Sequence, residues 1–393
     1  MGEVHPATVF SYTASFECLG PECADTCCRG WDMQMDPVRK ALYAEKAPEL
    51  LGALMESDAG VVMRRDPETG YCIKLEQGSC SIHRDRGTEF LGDACHFYPR
   101  ITRQFGDVVT MAATLSCPEI ARKVLFDPTP FGEETQSLQR LPYSLKDYLP
   151  EGVTSDAVPT VRKALQNMVT QSSSAEQAMA SLVNIAGSLH FTPPQSWAEG
   201  ITMLVNSASS RLPKAEMSET DPYLLVQLLA GLQHAMQKIV PKRFVETEQR
   251  IQRVLGISIQ PETLDLTVSR DHVGRYAQLS KNWSIIAEGQ RILRRWLQAQ
   301  LIVSAFPYAG FGGSIQERAQ LIAIRFAVVR LGLICLWAEQ DKTPDAESII
   351  MVIQGLSRFL DHLAEPELFL GIAKDAGWNR EARLRGLVGD TSG

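Results

Sequence analysis

The sequence predicts a mainly α protein: a cysteine-rich, metal-binding N-terminal region of mixed, irregular structure, followed by an all-helical domain. Three observations predict it. Eight of the nine cysteines fall between Cys18 and Cys117. Apolar residues recur at spacings of three and four from about residue 160 onward, the signature of helices with one buried face. Between these regions, residues 126–160 are rich in Pro and Gly, in FDPTPFGEE, RLPYSL and DYLPEG, and read as a linker or wrapping loop. The resulting division is 1–125, 126–160 and 161–393. With 393 residues the chain exceeds the size at which one core grows comfortably, so two or three domains are expected.

Within residues 1–125, helices are expected near Pro37–Lys46 and Pro118–Leu125. A strand is expected over Val108–Leu115, after a turn at Gly106-Asp107. Long regular elements are scarce, so this core is marginal by itself, and bound metal is a source of the missing stability. In residues 161–393, VRKALQNMVTQ, AEQAMASLVNIAGSLH, DPYLLVQLLAGLQHAMQKIV, RILRRWLQAQLIVSAF, ERAQLIAIRFAVVRLGLICLWAEQ and ESIIMVIQGLSRFLDHLA all carry helical periodicity. Asp221-Pro222 has the form of a helix start, with Asp at the N-cap and Pro at the first turn. No fixed-period repeat occurs, which excludes a solenoid.

Composition narrows the function. Hydrophobic residues make up 45% of the chain and charged residues 22%, which gives ample core material and argues against disorder. The net charge of −7 lacks the basic surplus of a general nucleic-acid binder. The opening MGEVHPATVFSYTASF has no basic segment followed by an apolar one, and Pro6 stands where a myristoylation motif needs Ser or Thr. The longest apolar run, Leu321 to Ala338, contains Arg325 and Arg330, which are costly in a bilayer, so it reads as a buried helix and not a membrane span. A soluble, cytoplasmic protein is expected.

In a reducing compartment, clustered cysteines signal metal or redox chemistry rather than a disulfide framework. They read as C-x4-C-x3-C-C (Cys18, Cys23, Cys27, Cys28), C-x7-C (Cys72, Cys80), Cys95 and Cys117. Thiolates suit iron–sulfur clusters, zinc or copper(I), and eight could fill two four-ligand sites or one site with spares. No C-x2-C pair occurs, which weakens a zinc-ribbon reading. Adjacent Cys27 and Cys28 point apart, so one of them serves a second site or packs without metal. A radical S-adenosylmethionine motif, C-x3-C-x2-C, fails because Gly30 stands at its third position. Cys335, in LGLICLW, reads as a core residue.

Four ordered blocks carry a family resemblance. FECLGPECADTCCRGWDMQMD (Phe16–Asp36), GYCIKLEQGSCSIHRDRG (Gly70–Gly87), LGDACHFYPRI (Leu91–Ile101) and LSCPEIARKVL (Leu115–Leu125) resemble the cysteine blocks of the flagellin lysine-N-methylase family. AQLIVSAFPYAG (Ala299–Gly310) and IQGLSRFLDH (Ile353–His362) are similar to its helical half. Ile73-Lys74 depart from the family's Pro-Phe pair. The resemblance implies a methyltransferase that methylates lysine side chains of flagellin from S-adenosylmethionine. It also implies a [4Fe–4S] cluster with Cys18, Cys23, Cys27, Cys28, Cys72, Cys80, Cys95 and Cys117 as candidate ligands, zinc being the alternative metal.

Other residues carry weaker signals. Ala309-Gly310-Phe311-Gly312-Gly313 has the look of a Rossmann glycine loop, but Pro307 breaks the preceding run as a strand. Gly332 stands where the ribose carboxylate belongs, so a helix–helix connection is expected. His83 and His96 flank Cys80 and Cys95 as ligand or tuning candidates. Trp31 reads as a core residue or a cover for the site. Arg100 is a candidate clamp for the donor's carboxylate, against a structural ion pair. Glu17 and Glu119 are candidate bases for the lysine ammonium, against helix or surface roles. Two rival functions stay open: a non-enzymatic zinc or iron–sulfur protein with a helical partner-binding domain, and a redox or sulfur-transfer enzyme.

Overall fold

The computed structural model describes residues 4–208, 212–236, 240–260, 262–310, 312–340, 343–361 and 366–390. The N-terminal part is built on a four-stranded mixed sheet. Strand β1 (His5–Phe10) runs into a one-turn helix α1 (Ser11–Ala14). The cysteine-bearing segment follows, with α2 (Pro37–Lys46), β2 (Leu54–Ser57), β3 (Gly60–Met63), β4 (Leu75–Glu76), β5 (Ser79–Cys80), α3 (Ser81–Arg86) and α4 (Asp93–Phe97). Strands β6 (Arg100–Phe105) and β7 (Val108–Ala113), helix α5 (Pro118–Phe126) and strand β8 (Glu133–Leu138) complete it. The sheet order is β6-β7-β1-β8, with β1 parallel to β7 and antiparallel to β8. Gly106, at φ +64°, turns the β6–β7 hairpin, as its position before Asp107 predicts.

The segment expected to be a linker therefore carries a strand. Glu133–Leu138 pairs with His5–Phe10 along its full length, Thr135 opposite Thr8. Its sequence, EETQSL, is polar and lacks alternation, because an exposed edge strand buries little and gains its place by backbone pairing. The two expected N-terminal helices form where predicted. Asp36 caps α2, its carboxylate accepting from Arg39 N at 2.9 Å, and Pro37 and Pro118 each occupy a first turn.

The remainder is helical: α6 (Ala157–Gln171), α7 (Ala175–His190), α8 (Trp197–Ala208), α9 (Asp221–Met236) and α10 (Lys242–Leu255). A small ribbon of β9 (Ile257–Ile259) and β10 (Leu266–Val268) follows. Then come α11 (Arg275–Trp283), α12 (Ala287–Ser304), α13 (Ile315–Glu339), α14 (Ala346–Leu360), α15 (Pro366–Asp375) and α16 (Glu381–Val388). Asp221 opens α9 as expected, and its carboxylate accepts from Trp378 Nε1 at 3.0 Å and from Arg383, pinning the helix to the C-terminal segment. The end of the run expected to continue to Val240 lies outside the described residues over 237–239.

Helix α13 is the hub, packed against α7, α10, α12, α14 and α16. It is long and apolar enough to cross a membrane, but 89% of that apolar window is buried inside the fold. Both arginines of its apolar run are paired. Arg330 Nε donates to Glu176 at 2.8 Å, and Glu176 also accepts from Trp283 Nε1 and Gln290 Nε2, both at 2.9 Å. Arg325 lies 4.0 Å from Asp361. Buried charges held this way need every hydrogen bond they have. The glycine loop joins α12 to α13, whose first turn is closed by a Ser314–Glu317 capping box. It is thus the expected helix–helix connection; Phe311 lies outside the described residues.

Candidate metal centre

Each cysteine block reaches the same region by a different local device. In the first, Gly30 takes φ +82°, a left-handed turn that a cysteine would strain, and its N–H donates to Gly70 O at 3.3 Å. The failed third position of the radical motif is thereby explained: the backbone needs a glycine there. This turn zips the first block to the second, where Cys72 N donates to Cys28 O at 2.8 Å. Gln77 and Gly78, both at positive φ, form the tight turn between β4 and β5, which sets Cys80 opposite Leu75. Cys95 sits in α4, and Cys117 immediately precedes α5.

These devices converge. Cys18, Cys23, Cys27, Cys28, Cys72, Cys80 and Cys95 all line one cavity of about 790 Å³. Cys117 is buried behind it, close enough for the charges of Cys23 and Cys18 to raise its thiol. Cys335 is outside this region, fully buried in α13, as expected. None of the described cysteines is in a disulfide.

The thiols divide into two neighbourhoods. Cys28, Cys72, Cys80 and Cys95 act on one another, and Cys18, Cys23 and Cys117 form a second group. Cys27 touches both, through Cys28 and Cys95 on one side and Cys18 on the other. Burial pushes Cys72 up to about 11 and Cys117 to about 12, and also raises Cys23, Cys80 and Cys95. A hydrogen bond within the adjacent pair raises Cys27 and draws Cys28 down to about 7. Clustered, desolvated thiolates repel one another, and a bound cation reverses that sign.

Among the described residues, no three His, Cys, Asp or Glu side chains stand together as a shell for a metal ion. A tetrahedral zinc with Zn–S bonds of about 2.3 Å needs sulfurs roughly 3.8 Å apart. The donor set lining the cavity is rich in sulfur, which suits an iron–sulfur group or a four-thiolate zinc.

The flanking candidates sort clearly. His83 is exposed at the cavity rim, and His96 is within 3.3 Å of Thr88 O, its pKa lowered by burial and then by Arg140. Trp31 donates Nε1–H to Cys27 O at 2.5 Å and leans on Tyr98 with ring centroids 5.8 Å apart, so it covers the site as well as packing. Glu17 is exposed at the rim, whereas Glu119 pairs with Arg122 and Lys123 along its own helix. Arg100 forms no ion pair among the described residues; its guanidinium lies over the Phe16 ring at 5.1 Å, and burial lowers its pKa.

The sequence reading missed the clamp on the first block. Arg358 of α14 donates to Asp25 O, Thr26 O and Arg29 O at 2.8–3.0 Å, and Gln354 Nε2 donates to Asp25 Oδ2 at 2.8 Å and Ser116 O at 2.9 Å. Nothing local marks these residues, since both lie in an ordinary amphipathic helix.

Comparison with known proteins gives the setting. Residues 193–382 match the FliB lysine N-methylase C-terminal domain. The chain is 23% identical over 129 residues to a flagellar biosynthetic protein, FliU, of Salmonella muenchen, covering 30% of this chain and 76% of that one. It is also 23% identical over 129 residues to lysine-N-methylases of Salmonella typhimurium and Salmonella choleraesuis, spanning about a third (32%) of their length. No solved structure matches it significantly. The matched domain supplies α14 and its clamp on the cysteine blocks, and over that part the chain is similar to the lysine N-methylase family.

Proposed function

We propose that this chain transfers a methyl group from S-adenosylmethionine to lysine side chains of flagellin, with its N-terminal cysteines holding a [4Fe–4S] cluster. The observation that carries the reading is the convergence of seven cysteines from three separate blocks on one cavity, clamped from behind by the helical domain. In the transfer, the neutral lysine nitrogen attacks the methyl carbon. The carbon–sulfur bond breaks with its electron pair on sulfur, S-adenosylhomocysteine leaves, and the nitrogen's extra proton passes to solvent.

Cys28, Cys72, Cys80 and Cys95 would hold the cluster, with Cys18, Cys23 and Cys117 as a neighbouring group and Cys27 between the two. A cluster bound there supplies cationic irons that neutralise the gathered thiolates, and a redox-active centre. The chain's own residues do the rest. Arg358 fixes the loop that carries Cys27 and Cys28, and Trp31 shields the cavity wall from water.

The test is intact-mass analysis of flagellin incubated with anaerobically purified protein, donor and reductant. Addition of whole methyl groups, mapped to lysines, is expected. Unmodified flagellin together with a colourless, zinc-bearing protein would instead select the non-enzymatic module.

A further inference from the structure

A second cavity of about 820 Å³ lies between the cysteine region and the helical domain. It shares Trp31, Met35, Phe97, Tyr98 and Arg100 with the cysteine cavity, so one layer of side chains separates the two. Part of its wall comes from α12, through Gln300, Val303 and Ser304.

The polar groups around this cavity are unevenly satisfied. Its carboxylates are engaged: Asp36 and Asp93 by Arg140, and Asp361 by Thr114 Oγ1 at 3.1 Å and by Arg325. Several of its donors are not. Gln300 is 3% exposed and its Nε2 reaches no partner, and the buried Oγ1 of Thr102 reaches none either. Arg100 stands without a carboxylate at the shared wall, facing both cavities. Buried donors left unpaired are costly, so such a site favours a ligand rich in acceptors. The aromatic rings of Trp31 and Tyr148 add flat apolar surface to its lining.

The geometry points to this second cavity as the seat of the methyl donor: an adenosyl amino acid, its base lodged among Gln300, Thr102 and Tyr148, its carboxylate on Arg100 at the wall shared with the cysteines. This rests on the methyltransferase reading above. The glycine loop, by contrast, is a capped helix connection and supplies no nucleotide site.

The test is calorimetric binding of S-adenosylhomocysteine and of adenosine to anaerobically purified full chain, alongside melting curves that show each variant folded. Gln300→Leu and the near-isosteric Thr102→Val are expected to weaken both ligands three- to tenfold. Arg100→Met is expected to weaken S-adenosylhomocysteine at least tenfold yet leave adenosine unchanged, with Arg100→Lys in between. A merely structural role for Arg100 gives no such split. If folded variants bind both ligands as the wild type does, the site assignment is overturned, while continued methylation of flagellin by the wild type keeps the functional reading. If the wild type neither binds the product nor methylates flagellin, both fail together.

Discussion

Arg358 and Asp25 are 333 residues apart in the chain and 3.0 Å apart in space. The same guanidinium also holds the backbone carbonyls of Thr26 and Arg29, on either side of the adjacent cysteines. The helical domain is therefore part of the cysteine site, because the loop that presents Cys27 and Cys28 has its carbonyls satisfied by α14.

Replacing that clamp should loosen the loop. Arg358→Ala removes a largely buried charge and leaves Asp25 and three carbonyls short of partners, at a cost of about 3 kcal/mol. Arg358→Lys keeps the charge but not the fork, and should recover less than half of it. Urea denaturation gives the stability, and limited proteolysis around residues 20–30 gives the location. Unchanged protection in Arg358→Ala would dismiss the clamp.

The cysteine sets make a metal-content prediction. With one [4Fe–4S] cluster on Cys28, Cys72, Cys80 and Cys95, Cys95→Ser should remove most of the bound iron, and Cys23→Ser, in the other neighbourhood, should keep more than half of it. Cys335→Ser, deep in α13, should keep the full iron content. Iron and sulfide analysis of anaerobically purified protein reads this directly. Equal loss of all iron in either cysteine variant would mean one shared site.

Glu248 gives a pH prediction. This α10 residue is 7% exposed, and burial raises its carboxyl from 4.5 to about 7. Between those values the unfolded chain has released the proton and the native chain keeps it, so the native state binds more protons and stability falls as pH rises. The loss should be on the order of 2–3 kcal/mol from about pH 4.5 to pH 7, and level above. Glu248→Gln should flatten that slope in denaturation curves taken across the range. An identical slope in the variant would assign it to other groups.

Gly312 lies at φ +95°, and a Cβ there would meet Glu317 Cβ at 3.1 Å, beside the cap of α13. Gly312→Ala should therefore cost about 1 kcal/mol of stability by thermal denaturation and leave donor binding intact. Loss of donor binding in a folded Gly312→Ala protein would move the donor site into this loop.

Much of the helical half is legible from spacing alone, since each helix buries one stripe on a common core and α13 announces itself by composition. The N-terminal sheet is less so. Its strands β1 and β8 are separated by more than a hundred residues, and EETQSL carries no apolar alternation to mark it. The cysteines are visible as a group, but the Cys28–Cys72 backbone pairing and the Gln77-Gly78 turn that help bring their blocks together are not. Arg358 acts across the whole chain, and no local pattern distinguishes it from other helical polar residues.

The most direct test is transfer of labelled methyl from S-adenosylmethionine to flagellin by the anaerobically purified wild type, set beside folded Cys95→Ser and Cys335→Ser variants. Label on flagellin lysines is expected from the wild type and Cys335→Ser, with none from Cys95→Ser. Equal labelling by all three would contradict a role for the cysteine cavity in methyl transfer, and no labelling by the wild type would contradict the methyltransferase itself.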